Sequence, residues 1–88
     1  MKAKVLKLDQ KLFDGEVDKV VLPALEGEMC LLPHHISIIT SLKPGTIKIF
    51  KPQAERFIAI VVEEGVCSFS NEEAVFILNG HVNNFEKS

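Results

Sequence analysis

The chain has 88 residues, 47% hydrophobic and 25% charged, with a formal net charge of −2; this is the composition of one small globular domain and excludes a second domain, a disordered chain and a low-complexity one. Its ten basic residues are dispersed apart from Lys2, Lys4, Lys7 and Lys11, so the basic footprint of a nucleic-acid binder is missing and no nucleic-acid partner is expected. There is no run of about 18 apolar residues and no leader with a basic n-region, apolar h-region and cleavage site, so the chain is expected neither to insert into a membrane nor to be exported by a signal peptide.

Short apolar runs recur between turn signals at roughly the 8 to 12 residue spacing of an all-β sandwich or barrel. The first, KAKVLKLD, precedes a turn candidate at Asp14-Gly15. EVDKVVLP follows, offering Val17, Val20 and Leu22 to a core, and EGE at Glu26 to Glu28 supplies another reversal. MCLLP and ISIITSL flank Pro33-His34-His35, and Lys43-Pro44-Gly45 predicts a turn in which proline presets φ and glycine is free to take φ > 0. TIKIFK alternates, with Ile47 and Ile49 on one face, and RFIAIVVE, VCSFS and AVFILNG complete the set between Glu63-Glu64-Gly65 and Asn71-Glu72. The β-branched enrichment of these runs favours strands, and none sustains helical spacing. The fold class expected is all-β: a small two-layer antiparallel β-sandwich over residues 1–84, followed by a short polar tail at 85–88.

Three runs fail to alternate: Phe57 to Val62, Ile36 to Ile39 and Val20 to Leu22. In a two-layer sandwich each strand has one inward and one outward face, so apolar residues in both phases imply either β-rich central strands or an outer face covered by another protein.

The stretch GEMCLLPHHIS gathers Glu28, Cys30, His34 and His35. A zinc site needs about four convergent ligands, and adjacent histidines on an extended segment point to opposite faces, so no metal is expected. A Cys30–His35 nucleophilic pair would also need an oxyanion hole and an orienting third group, which the sequence does not mark. The plainer reading is a solvated loop ending in a proline-fixed bend, one histidine exposed and the other hydrogen-bonded. With no secretory leader, Cys30 and Cys67 are expected as free thiols behaving as small buried hydrophobes. Neither G-x-G-x-x-G nor a Walker A pattern occurs, so no nucleotide cofactor is expected, and no catalytic residue is assigned.

In order, LFDGEVDKVVLPALEGEMCLLPHHISIITSLKPGTIKI is similar to the N-terminal β-sandwich domain of the epsilon subunit of F-type ATP synthase, the subunit called delta in mitochondria. Phe13, Gly15, Val17, Val20, Pro23, Gly27, Glu28, Leu32, Pro33, His35, Ile39, Thr40, Leu42, Lys43, Pro44 and Gly45 fall in step with that pattern, and RFIAIVVEEGVCSFSNEEAVFIL continues it. The chain departs where the family often has Gly-His-Ala-Pro and here stands His34-His35-Ile36-Ser37, which places histidine where glycine takes φ > 0. It also departs in stopping where typical members continue into two helices.

The resemblance implies a noncatalytic rotor subunit that ties the central shaft subunit, gamma, to the membrane-embedded c-ring in proton-driven ATP synthesis. It would sit peripherally on the cytoplasmic side of the energy-transducing membrane, and without the helices it would couple but not inhibit hydrolysis. By the same resemblance Glu26, Gly27, Glu28, Leu32 and Pro33 face the ring, and His35 and Thr40 face gamma. The alternative from a different class is a free-standing β-sandwich adaptor that binds another protein through the same apolar strands.

Overall fold

The computed structural model describes residues 1–8, 10–52, 57–80 and 82–87. Asp9, Arg56, His81 and Ser88, at the ends of runs quoted above, lie outside the described residues. Strands run in chain order as β1 (Lys2–Lys7), β2 (Gln10–Glu16), β3 (Lys19–Ala24), β4 (Gly27–Leu31), β5 (Ile38–Leu42), β6 (Gly45–Phe50), β7 (Phe57–Val62), β8 (Glu64–Ser70), β9 (Glu73–Asn79) and β10 (Asn83–Lys87).

These strands make one curled sheet in the order β10-β7-β6-β3-β5-β8-β9-β1-β2, with β4 added on β3. The curl creates two layers. One holds β4, β3, β6, β7 and β10; the other holds β5, β8, β9, β1 and β2. They are joined where Ala24 of β3 pairs with Leu42 of β5. All pairs are antiparallel except β1 and β9, which run parallel from Lys2↔Glu73 to Lys7↔Leu78.

Alternation sends Val20, Leu22, Ile47, Ile49, Ile58, Ile60 and Val62 inward from the first layer, against Val5, Cys67, Phe69, Ala74, Phe76 and Leu78 from the second. No polar or charged residue is buried among the described residues. The core is therefore dry, and each fully buried Leu, Ile or Phe contributes about 1.5–3 kcal/mol of apolar transfer.

Several sequence expectations shift. Asp14-Gly15 is not a turn: both lie inside β2, and the chain reverses just after Lys7, where Leu8 takes φ 53°. The expected tail is part of the sheet, because Phe85, Glu86 and Lys87 pair with Ala59, Ile58 and Phe57. Asn71-Glu72 does turn, closing the β8–β9 hairpin with φ 51° and 62°, the primed conformation that suits strand twist.

Gly45 is the instructive correction. Its φ is not positive; it opens β6 against Pro23, whose ring a Cβ would meet at 2.8 Å. The glycine serves close approach at the joint between layers, where Lys43 N–H donates to Pro23 O at 3.0 Å and Leu25 N–H to Ser41 O at 2.9 Å. Gly45→Ala is expected to lower the urea midpoint, at unchanged slope, by the equivalent of about 1–3 kcal/mol of overpacking. Gly15→Ala, whose new Cβ meets only the Phe13 ring at 3.5 Å, should leave the midpoint within about 0.5 kcal/mol.

Candidate docking surfaces

The acidic hairpin comes first. Leu25-Glu26 links β3 to β4, and Gly27 takes φ 137°, a conformation that excludes side chains and accounts for the glycine of EGE. Glu26 and Glu28 are exposed. Together with Ala24, Gly27, Met29, Ile38, Ile39 and Thr40 they line a groove of about 390 Å³ between β4 and β5. Thr40, from the expected gamma-facing pair, thus shares a groove with the expected ring-facing acids. Leu32 and Pro33 do not join it: they follow the far end of β4, about 16 Å from Gly27 at roughly 3.3 Å of rise per residue.

The histidine loop connects β4 to β5. His34 takes φ 68°, so histidine does occupy the left-handed position at the bend. Its N–H donates to Glu72 Oε1 at 2.6 Å, and its Nδ1 lies 3.3 Å from the same oxygen while the ring is 90% exposed. Glu72 is itself left-handed and accepts from Lys2 N–H through its carbonyl at 2.8 Å. Two left-handed non-glycine residues hold each other. His35 turns the other way, with Nδ1 2.7 Å from Ile36 O and its ring edge-on to Phe69 at 6.0 Å between centroids.

Cys30 departs from expectation: it is exposed on β4, opposite Val21, whereas Cys67 is buried. Burial pushes the Cys67 thiol up to about 12 from its ordinary 9.0. No hydrogen bond joins Cys30 to either loop histidine, and no cluster of three metal-ligating side chains occurs, among the described residues. What the loop does show is a clasp, His34 on Glu72, and a packed ring, His35 on Phe69.

The two outer faces differ sharply. On the first layer, Lys19 Nζ lies 4.7 Å from the Phe50 ring centroid and Lys48 Nζ 5.9 Å from that of Phe57, while the two rings pack at 5.1 Å. Lysine stems thus shelter the Phe50 and Phe57 rings and keep their charges in water, while Val61, at the far end of Phe57–Val62, stays 37% exposed. On the second layer no lysine lies over a ring in this way among the described residues. Register places Val66 opposite Ile77 and Ile77 opposite Leu6, with Ile39 in the adjoining row. Exposure there is 79% at Ile39, 58% at Ile77 and 42% at Val66, and Leu8 continues the patch at 88%. Sequence reasoning flagged Ile39 but missed Val66 and Ile77. The available signal was AVFIL, apolar in both phases.

The fold is that of a small β-sandwich with one bare apolar outer face. A family model described as "ATP synthase, Delta/Epsilon chain, beta-sandwich domain" matches residues 1–83, and the chain belongs to that family. Among relatives, the ATP synthase epsilon chain of Pelagibacter ubique is 52% identical over 56 residues, 64% of this chain and 42% of that one. The epsilon chain of Nitratiruptor sp. is 33% identical over 82 residues, covering 93% of this chain and 63% of its own length. Alignments thus span about half the length of these curated relatives. The fold recurs in the Euglena gracilis mitochondrial ATP synthase OSCP/F1/c-ring assembly (TM-score 0.84, 17% identity, 93% of this chain and 51% of that one). It recurs again in the Tetrahymena thermophila mitochondrial central stalk/c-ring (TM-score 0.70, 13% identity, 96% and 64%).

Two measurements check this geometry. A thiol reagent at neutral pH should modify Cys30 promptly and Cys67 only after unfolding; because the folded Cys67 pKa is raised, its contribution to stability is complete below about pH 9 and lost as pH rises toward 12. In thermal or urea melts His34→Gly should keep or slightly raise stability, whereas His34→Val should lower it by about 1–2 kcal/mol, the cost of a β-branched residue in the left-handed region.

Proposed function

We propose that the chain is a noncatalytic rotor subunit of F-type ATP synthase, coupling the central shaft subunit gamma to the membrane c-ring during proton-driven ATP synthesis. In this reading it sits peripherally on the cytoplasmic side of the energy-transducing membrane and holds no cofactor. The observation that carries it is the bare apolar outer face formed by Ile39, Val66 and Ile77, which reaches the edge strand bearing Thr40. A few contiguous exposed aliphatics on one face, against an opposite face whose aromatic rings lie under lysine, suit a protein partner on the bare side. The names of the relatives, ATP synthase epsilon chains, and the central stalk/c-ring setting of a solved neighbour support gamma and the ring as partners.

Gamma would dock on this face and the adjoining β5 edge, with Thr40 and His35 at its margin. The ring would meet the acidic hairpin Glu26-Gly27-Glu28, where exposed carboxylates can orient polar or basic loops. Leu32 and Pro33 belong to the ring-facing set only as the far end of a contact running the length of β4. Transmitting torque without slip calls for area, because one exposed ion pair contributes about 1 kcal/mol or less.

Titration of purified gamma into the chain by calorimetry tests the reading. Tight one-to-one binding is expected, weakened tenfold or more by Ile77→Asp or Thr40→Arg, about 1.4 kcal/mol each. Lys19→Ala, on the opposite face, should not change it, and Glu28→Lys should reduce recovery of the chain with a detergent-solubilised c-ring. Absence of binding at tens of micromolar would leave the free-standing adaptor in front.

A further inference from the structure

Strand edges differ in how they are protected. β2 carries Lys11, Asp14 and Glu16, with a register shift between Val5 and Leu6 on its partner β1, and β10 has the sequence NNFEK. Charges and irregularities of this kind deter added strands. β4 carries Glu28 and the positive-φ Gly27. β5, IITSL, has no charge, proline or glycine, and its register with β8 runs unbroken.

The direction of its polar groups follows from one hydrogen bond. Ser41 O accepts from Leu25 N–H, so Ser41 points away from β8. N–H and C=O of one strand residue point to the same side and alternate along the chain, so Ile39 also points away from β8, toward the groove. β5 touches β3 only at Ala24↔Leu42, and no backbone partner meets Ile39 on that side among the described residues. A 79% exposed isoleucine thus presents an unpaired N–H and C=O beside the groove of about 390 Å³, with Glu26 and Glu28 on its lining.

We propose that β5 is a strand-addition site: an extended segment of gamma, docked on the apolar face of Ile39, Val66 and Ile77, pairs through its main chain with Ile39, beside the groove between β5 and β4. This deepens the rotor reading and rests on it. An open edge satisfies its amide groups with any extended chain, while selectivity comes from alternate side chains. Here one set would meet Ile39 and Val66 on the outer face. The other would turn toward Met29 and Ile38 at the floor of the groove, leaving the carboxylates of Glu26 and Glu28 to the ring.

Amide hydrogen exchange on the intact chain, alone and with purified gamma, tests this. The Ile39 amide should exchange rapidly in the free chain and slow at least tenfold in the complex, while Ile38 and Thr40, directed at β8, are protected in both. Ile39→Pro removes an N–H that the fold does not use; it should keep the melting temperature near that of Ile39→Val yet lose tenfold or more in gamma affinity relative to it. A complex that forms with Ile39 exchange unchanged would overturn strand addition and leave the rotor reading standing. No complex at all would overturn both. Protection of Ile39 in the chain alone, rising with concentration as the mass doubles, would make the occupant a second copy and overturn the assignment to gamma.

Discussion

The joint between β3 and β5 is the contact on which the rest of this molecule depends. Two backbone hydrogen bonds, Leu25 N–H to Ser41 O and Lys43 N–H to Pro23 O, flank the Ala24↔Leu42 pair. Each is worth about 1 kcal/mol in isolation. Their larger effect is geometric, since they bend one continuous sheet into two facing layers and so decide which apolar side chains meet. Gly45 lets β6 leave this corner against Pro23. The same corner ends the pairing of β3 with β5 after one residue pair, so the rest of the β5 edge stays open.

From that corner follows the asymmetry of the surface. Both layers have outward apolar residues, but among the described residues lysines lie over rings on only one of them. Lys19 stands in the row of Phe50 and Phe57 and Lys48 in the adjoining row of Val21 and Ala59, and both shelter aromatic surface while remaining hydrated. The rows containing Val66 and Ile77 hold no equivalent long side chain at their centre, so apolar area remains in contact with water. A small domain gains stability when a partner covers such area. Fold stability and docking thus draw on the same residues.

Loop chemistry shows a local rule overridden by tertiary contacts. Histidine at the left-handed position of the β4–β5 bend is sterically unfavourable, as is glutamate at the second turn position between β8 and β9. The two meet, and the Glu72 carboxylate accepts the His34 N–H. The bend survives without glycine because the strain is shared with a contact 38 positions away in sequence. His35, by contrast, serves as an edge-on packing residue against Phe69.

Local periodicity determined much from the sequence alone. The all-β class, most strand positions, the Asn71-Glu72 hairpin and the acidic reversal at Gly27 follow from alternation and turn residues, because these act over a few bonds. The ordered motif from Leu12 to Ile49 carried the family. Tertiary structure decided what depends on which strand lies beside which. Asp14-Gly15 became strand because β1 and β9 extend the ladder past it, and the parallel β1–β9 pair joins segments about 70 residues apart by register alone. Cys30 became exposed because it occupies the outward phase of an edge strand. AVFIL is apolar in both phases, and whether its outer residues lie bare or under lysine is set by the neighbouring strands, because lateral pairing between distant segments leaves no short-range trace in the chain.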